Sequence, residues 1–373
     1  MSQELDSGQL SVTRRLLDAF RVDPLLFALL FLLSAVGTLL LYSAGGSDMD
    51  LMLRQGVRLL VAFILLIVVA NLPLRVIKKA SPALYLVGLV LLLAVMLFGE
   101  VGKGAQRWLD LGFIRFQPSE ILKLSVPMMI AAYLSNRLLP VGWKELLVSV
   151  ILVLIPVLLI ARQPDLGTAI LVGSAGFFVL FLAGVRWRII LILGFLLSLA
   201  APLLWKFALH EYQRDRILTM LDPESDPLGS GYHIIQSKIA IGSGGAYGKG
   251  WLNGTQSQLD FIPERSTDFI FSVFGEEFGF FGSVLLIALY LVIIYRGLHI
   301  AATSSDNFGR LLAGALSLTF FVYLFVNTGM VTGMLPVVGV PLPLISYGGT
   351  SMVTLMMGFG LIMAIRSSKR FWN

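Results

Sequence analysis

The chain has 373 residues, 57% of them hydrophobic and only 13% charged, about half the charged share of a soluble domain. That composition excludes a soluble enzyme, and the net charge of +6 is spread between apolar segments rather than gathered into the basic patch that a nucleic-acid binder needs. There is no cysteine and there are three histidines, His210, His233 and His299, so disulfide and thiolate chemistry are excluded and a zinc cluster has too few ligands.

A polar start through Phe20 precedes an apolar run that is too long for the h-region of a cleavable signal. From there the chain alternates apolar segments with short polar links. Roughly 20 apolar residues cross about 30 Å of hydrocarbon as a helix, and lipid offers the backbone no other partner. The expected fold is therefore all-α, with about ten spans at 24–43, 55–72, 82–99, 118–135, 145–161, 168–184, 188–206, 268–295, 311–334 and 349–366. It reads as a single transmembrane domain over 1–373, with an N-terminal tail at 1–23 and a large loop at 207–267 between spans 7 and 8. Arg75, Lys78, Lys79, Arg137, Lys144, Arg186, Arg188, Arg296, Arg310 and Arg366 fall in or beside the links of one side. Positive charge in short loops stays in the cytoplasm, which assigns both termini to that side.

Four connections then face outward, and polar, irregular sequence gathers in them. In 100–117, Trp108 and Phe116 suit an interface, and Arg107, Asp110 and Arg115 add charge. Just inside the fourth span, Glu120 and Lys123 are three residues apart and so share a helix face. Either Glu120 complements the helix start while Lys123 pairs with it, or the pair faces a polar cavity and marks a site. Asp165, in the turn Pro164-Asp165-Leu166-Gly167-Thr168, reads as the cap of the next helix.

The large loop carries Tyr232, Ile235 and Ile239 at helical spacing, consistent with a short helix lying in the interface. The GSGGAYGKG segment at 242–250 invites a phosphate-loop reading and fails it. Ser243 stands where the first glycine should be and Gly250 where a Ser or Thr should be. A flexible hinge is the expectation there.

The eighth span opens with ERSTDFIFSVFGEEFGFFG at 264–282. Asp268 either caps that helix or accepts a proton from a hydroxyl at the lipid boundary, flanked by Lys249, Gln256 and Ser257. Glu276 and Glu277 lie about 12 Å further along the axis at 1.5 Å per residue and read as structural. In the last outer connection, Pro336, Pro341 and Pro343 break any regular helix, and Ser346 and Tyr347 supply polar handles.

Composition and spacing leave two classes open, an enzyme acting on a lipid-linked anion and a transporter of one. No internal duplication is visible and the polar material is one-sided, which favours the enzyme. The segments KGAQRWLDLGFIRFQPSEILKL, QPDLGTAIL, LDPESDPLGSGYHIIQSKIAIGSGGAYGKGW, GTQSQLDFIPERSTDFIF and LPVVGVPLPLISYGGTS together resemble the SEDS family of bacterial cell-wall proteins, and its elongation branch more than its division branch.

That resemblance implies a peptidoglycan glycosyltransferase that polymerises lipid II on the periplasmic side of the inner membrane, in the lipid bilayer. It implies a class B penicillin-binding protein as working partner. It matches the family's essential aspartate to Asp268 and other cavity positions to Trp108, Arg115, Glu120 and Lys123. Arg115, Lys123, Lys249 and Arg265 are then candidates to neutralise the departing pyrophosphate. A divalent cation, Mg2+ or Mn2+, could share that work, although the sequence offers no dedicated ligand cluster. The competing reading is a lipid II flippase.

Overall fold

A computed structural model describes residues 22–102, 105–110, 115–208, 211–226, 229–259, 261–262 and 264–368. Apart from Val22 and Asp23, the N-terminal tail lies outside the described residues. Seven helices among those described are long and apolar enough to cross a membrane: α1 (Pro24–Ala44), α2 (Met49–Ala70), α3 (Leu74–Phe98), α5 (Trp143–Arg162), α11 (Ile270–Ala302), α12 (Asn307–Val331) and α13 (Thr350–Ser368). Helices α4 (Ser119–Ser135), α6 (Leu166–Leu182) and α7 (Trp187–Leu203) are shorter. Phe31, Leu60, Leu86 and Leu285 stand exposed on the outside of the bundle, as lipid contact requires. The chain is an all-α multi-pass membrane protein with one departure. Residues 100–116 form three short antiparallel strands, β1 (Glu100–Gly102), β2 (Ala105–Asp110) and β3 (Arg115–Phe116), with β2 in the middle.

Local chemistry sets several boundaries. Asp23 caps α1 by accepting the Leu26 N–H at 2.8 Å, and Pro24 follows at a position where a missing N–H costs nothing. The same carboxylate, 1% exposed, pairs with Arg296 at 2.8 Å and with Arg366. The start of α1 and the ends of α11 and α13 therefore meet on one side of the bundle. Pro82 is not a helix start: α3 begins at Leu74 and runs through it. The first two turns, with Arg75, Lys78 and Lys79, belong to the helix rather than to a link.

Helix α12 sits at the centre, packed against α4, α6, α11 and α13. Helix α13 also runs along α2, and α3 along α4. Between α8 (Glu211–Leu221) and α10 (Thr255–Gln258), the segment expected to lie in the interface is α9 (Ser230–Gly244), and it packs on α11 instead. Ile234, Ser237 and Ala240 are buried, and the Ser237 hydroxyl donates to the Val331 carbonyl at 2.6 Å.

Helix α11 is also not the continuous rod expected. It breaks at Gly279, where φ is 65° and ψ is −162°. The glycine-rich segment fills the break: Lys249 N and Gly250 N donate to the carbonyls of Glu276 and Glu277 at 3.0 and 2.9 Å, and Phe280 N and Phe281 N donate to Gly245 and Ala246 at 2.9 and 3.1 Å. Those bonds replace the intrahelical ones lost at the break. The segment expected to be a hinge is a docked backbone plug.

Candidate active site

A cleft of about 1250 Å³ lies between α2, α3, α4 and α13. Its walls are mostly apolar, with Val61, Val69, Leu84, Met128 and Met357 along its length. Trp108, Phe116, Arg58, Glu120 and the Gly349–Thr350 start of α13 also line it. A long apolar slot bearing a few polar groups suits a molecule with a hydrocarbon tail and a charged head.

Glu120 and Lys123 are 4% and 6% exposed and 2.7 Å apart. Lys123 Nζ also lies 5.5 Å from the Tyr323 ring centroid. Glu120 Oε2 is buried without a hydrogen-bond partner, on a residue that lines the cleft. A buried ion pair with one unsatisfied oxygen, on a residue of the cleft wall, fits a binding group better than a surface helix pair. The backbone of Arg115 pairs with Asp110, and its side chain lies outside the described residues. Asp165 caps α6 through Thr168 N at 3.2 Å, accepts from Gln117 at 3.1 Å and pairs with Arg107 at 3.7 Å.

Asp268 is half-buried, one residue before Phe269, which holds the cap position of α11 without a side-chain capping bond. The Asp268 backbone is clamped by α12, with Asn327 Nδ2 donating to its carbonyl at 2.8 Å and to that of Val340 at 2.8 Å. The proline-rich loop closes over the same segment. Ser346 Oγ donates to Thr267 O at 2.6 Å and accepts from Leu342 N at 2.8 Å, while Tyr347 N donates to Ser266 O at 2.8 Å. Gly339 has a φ of 74°, and a β-carbon there would come within 3.5 Å of Asp268 Oδ2. Ser346 thus acts on the carboxylate's position through backbone bonds.

Lys249, Gln256 and Ser257 gather on a different acid from the one expected. Glu276, 0% exposed, accepts from Lys249 Nζ at 2.7 Å, Thr255 Oγ1 at 3.0 Å, Gln256 N at 2.9 Å and Ser257 N at 3.3 Å. A buried carboxylate with four donors is fully satisfied, and here it caps the short helix α10 and anchors the loop. Arg265 donates to the Ser257 carbonyl, which ties the Asp268 segment to that anchor. Glu277 accepts from Ser43 of α1.

Sequence reasoning passed over two residues. Arg58 and Asn327 interrupt apolar spans, a signal that an intramembrane polar group has work to do. Tyr347 meets Arg58, whose guanidinium carbon lies 4.4 Å from its ring centroid. Through Tyr347 the head of the cleft and the Asp268 segment form one seam.

Fold and site together define a multi-pass helical membrane protein with a lipid-sized cleft and a carboxylate clamped beside the loop that bounds its head. The model of the FtsW/RodA/SpoVE family, described as cell cycle protein, matches residues 16–371, and the chain belongs to that family. It is 52% identical to the peptidoglycan glycosyltransferase MrdB of Escherichia coli K12, over 95% of each chain. It superposes at a TM-score of 0.82, with 35% identity, on a chain of a peptidoglycan synthase complex that coordinates polymerization and crosslinking, covering 94% of this chain and 99% of that one. It superposes at 0.71, with 30% identity, on the rod shape determining protein RodA of Thermus thermophilus, covering 94% and 98%.

Proposed function

We propose that this chain is a peptidoglycan glycosyltransferase that polymerises lipid II during cell elongation, with Asp268 as its general base. The activity is that named for the E. coli relative. The observation that carries the residue assignment is the clamped, half-buried Asp268 carboxylate on the same seam as the head of an apolar cleft.

In this reading the sugar 4-hydroxyl of one lipid-linked unit attacks the anomeric carbon of another. The hydroxyl proton passes to an Asp268 carboxylate oxygen and the new carbon–oxygen bond forms on the face opposite the leaving group. The bond to the pyrophosphate breaks, its electron pair leaving with the prenyl diphosphate, so an α linkage becomes β. A positioned base contributes on the order of 10² to 10⁴ in rate. Glu120 holds the sugar portion from the wall of the cleft, with Trp108 beside it, and Lys123 pairs with Glu120 from behind. Lys249, Gln256, Ser257 and Ser346 act by fixing the loops around Asp268.

Among the described residues no group of three or more His, Asp or Glu side chains converges. A divalent cation would have Asp268 and substrate phosphate oxygens to hold it, not a dedicated cage, so the steps above are routed through the chain's own residues. The topology that goes with this reading is ten crossings of the inner membrane in a single domain, both termini cytoplasmic, and the 207–267 loop and Asp268 periplasmic. The meeting of Asp23, Arg296 and Arg366 on one side supports it. A class B penicillin-binding protein is the partner, by analogy with the synthase complex.

The test is polymerisation of lipid II by the purified chain with its partner in detergent, where no leaflet needs crossing. Wild type makes glycan polymer and Asp268→Asn, equally well folded, makes none. Absence of polymer from wild type would leave the flippase reading standing.

A further inference from the structure

One cation in the cleft has no role in the steps above. Arg58 of α2 lines the cleft, and its Nη1 is buried without a hydrogen-bond partner. Its guanidinium lies over the Tyr347 ring, 4.4 Å from the centroid. That contact holds the planar group by its face and leaves Nη1 without a protein acceptor to compete with an oxygen ligand.

Opposite it, Gly349 and Thr350 open α13 and line the same cleft. A β-carbon on Gly349 would come within 3.4 Å of Arg58 Nε, so the guanidinium and the start of α13 are in near contact. The first turn of a 19-residue helix presents backbone N–H groups without intrahelical acceptors and the positive end of the helix dipole. Guanidinium and helix start therefore converge on one end of a cleft whose remaining length is mostly apolar, the arrangement that holds phosphate oxygens. The nearby acid does not cancel it, because Glu120 is neutralised by Lys123 at 2.7 Å.

We infer that Arg58 and the first turn of α13 bind the diphosphate of a prenyl-linked sugar whose hydrocarbon lies along the cleft, and that this is the diphosphate that departs. The inference deepens the glycosyltransferase reading and rests on it. Negative charge develops on the leaving diphosphate as its bond to carbon breaks, so fixed positive charge is most effective there. The base lies where the other reactant must be. Tyr347, which stacks on Arg58, donates its N–H to Ser266, two residues before Asp268. Leaving-group site and base thus sit along one seam, joined by the Arg58–Tyr347 stacking and the Tyr347–Ser266 hydrogen bond.

The full chain in detergent tests this with geranylgeranyl diphosphate as probe and geranylgeraniol as its headless control. Wild type binds the diphosphate about tenfold or more tightly than the alcohol, read as a ligand-dependent rise in melting temperature. Arg58→Gln loses about tenfold in diphosphate affinity and leaves the alcohol unchanged. Arg58→Lys keeps the charge without the fork and falls between the two. It carries the same comparison if Arg58→Gln does not accumulate.

In the polymer assay, added undecaprenyl diphosphate inhibits Arg58→Gln more weakly than wild type by a similar factor. Equal diphosphate affinity in wild type and either variant overturns the proposal. So does displacement of the probe by equimolar phosphatidylglycerol, which would make the site one for bulk anionic lipid. Failure of wild type to polymerise lipid II would instead overturn the glycosyltransferase reading, and the binding comparison would remain readable.

Discussion

Asn327 reaches out of the middle of the bundle to hold Asp268 by its main chain: one amide nitrogen donates to the Asp268 carbonyl and to the Val340 carbonyl, each at 2.8 Å. With Asn327 0% exposed, both bonds are shielded from water. The central helix α12 therefore holds the main chain that carries the carboxylate, and it fixes the proline-rich loop with the same group.

Replacing Asn327 with Leu strands two carbonyls. Leaving buried acceptors unsatisfied costs about 1–3 kcal/mol each, so Asn327→Leu should melt several degrees below wild type. Its turnover should fall more than its substrate affinity, because Asp268 is displaced while the cleft is intact. Differential scanning fluorimetry and the polymer assay check the two halves, and unchanged turnover would show that the clamp does not position the base.

For Asp268 itself, Asn preserves shape and hydrogen bonding and removes the base. Glycan synthesis should drop by the order of 10² to 10⁴ that a positioned base supplies, with the melting temperature unchanged. A stability loss comparable to that of Asn327→Leu would mark the carboxylate as structural.

Glu120 and Lys123 should behave as a coupled pair. Lys123→Met leaves a buried carboxylate alone and should cost about 3–5 kcal/mol, as breaking buried ion pairs does. The double variant Glu120→Gln with Lys123→Met removes both charges and should recover most of that stability. It should not recover polymer synthesis if the pair binds substrate. A double-mutant cycle in melting temperature and product yield separates the two effects.

Gly279 is the point at which α11 changes direction. Its φ of 65° disfavours any side chain, and a β-carbon there would lie 2.3 Å from Gly248 N. Gly279→Ala should release the 245–250 plug, making that segment cleavable by added protease in the folded protein. Protection equal to wild type would mean the break tolerates a side chain.

Asp23 ties three helix ends together. Asp23→Asn retains a capping oxygen for Leu26 N and removes the charge that Arg296 and Arg366 share. Hydrogen bonds to charged groups contribute about 1.5–3 kcal/mol, so a melting-temperature fall that high salt does not reproduce in wild type is expected.

Membrane residence, the all-α class and the Glu120–Lys123 pair were legible in the linear chain, because hydrocarbon tolerates only helices and makes every ionisable group inside them conspicuous. Boundaries moved where one residue type serves two purposes: Pro82 looked like a helix start because proline fits there, yet α3 runs through it. What only the tertiary structure decided were the partnerships. Lys249, Gln256 and Ser257 close in sequence on Asp268 but turn to Glu276, and Arg58, about two hundred residues from Asp268, joins its seam through Tyr347. Periodicity reports which face of a segment avoids water. Which of several buried polar groups satisfies which other depends on how helices far apart in the chain pack, and that is settled in three dimensions.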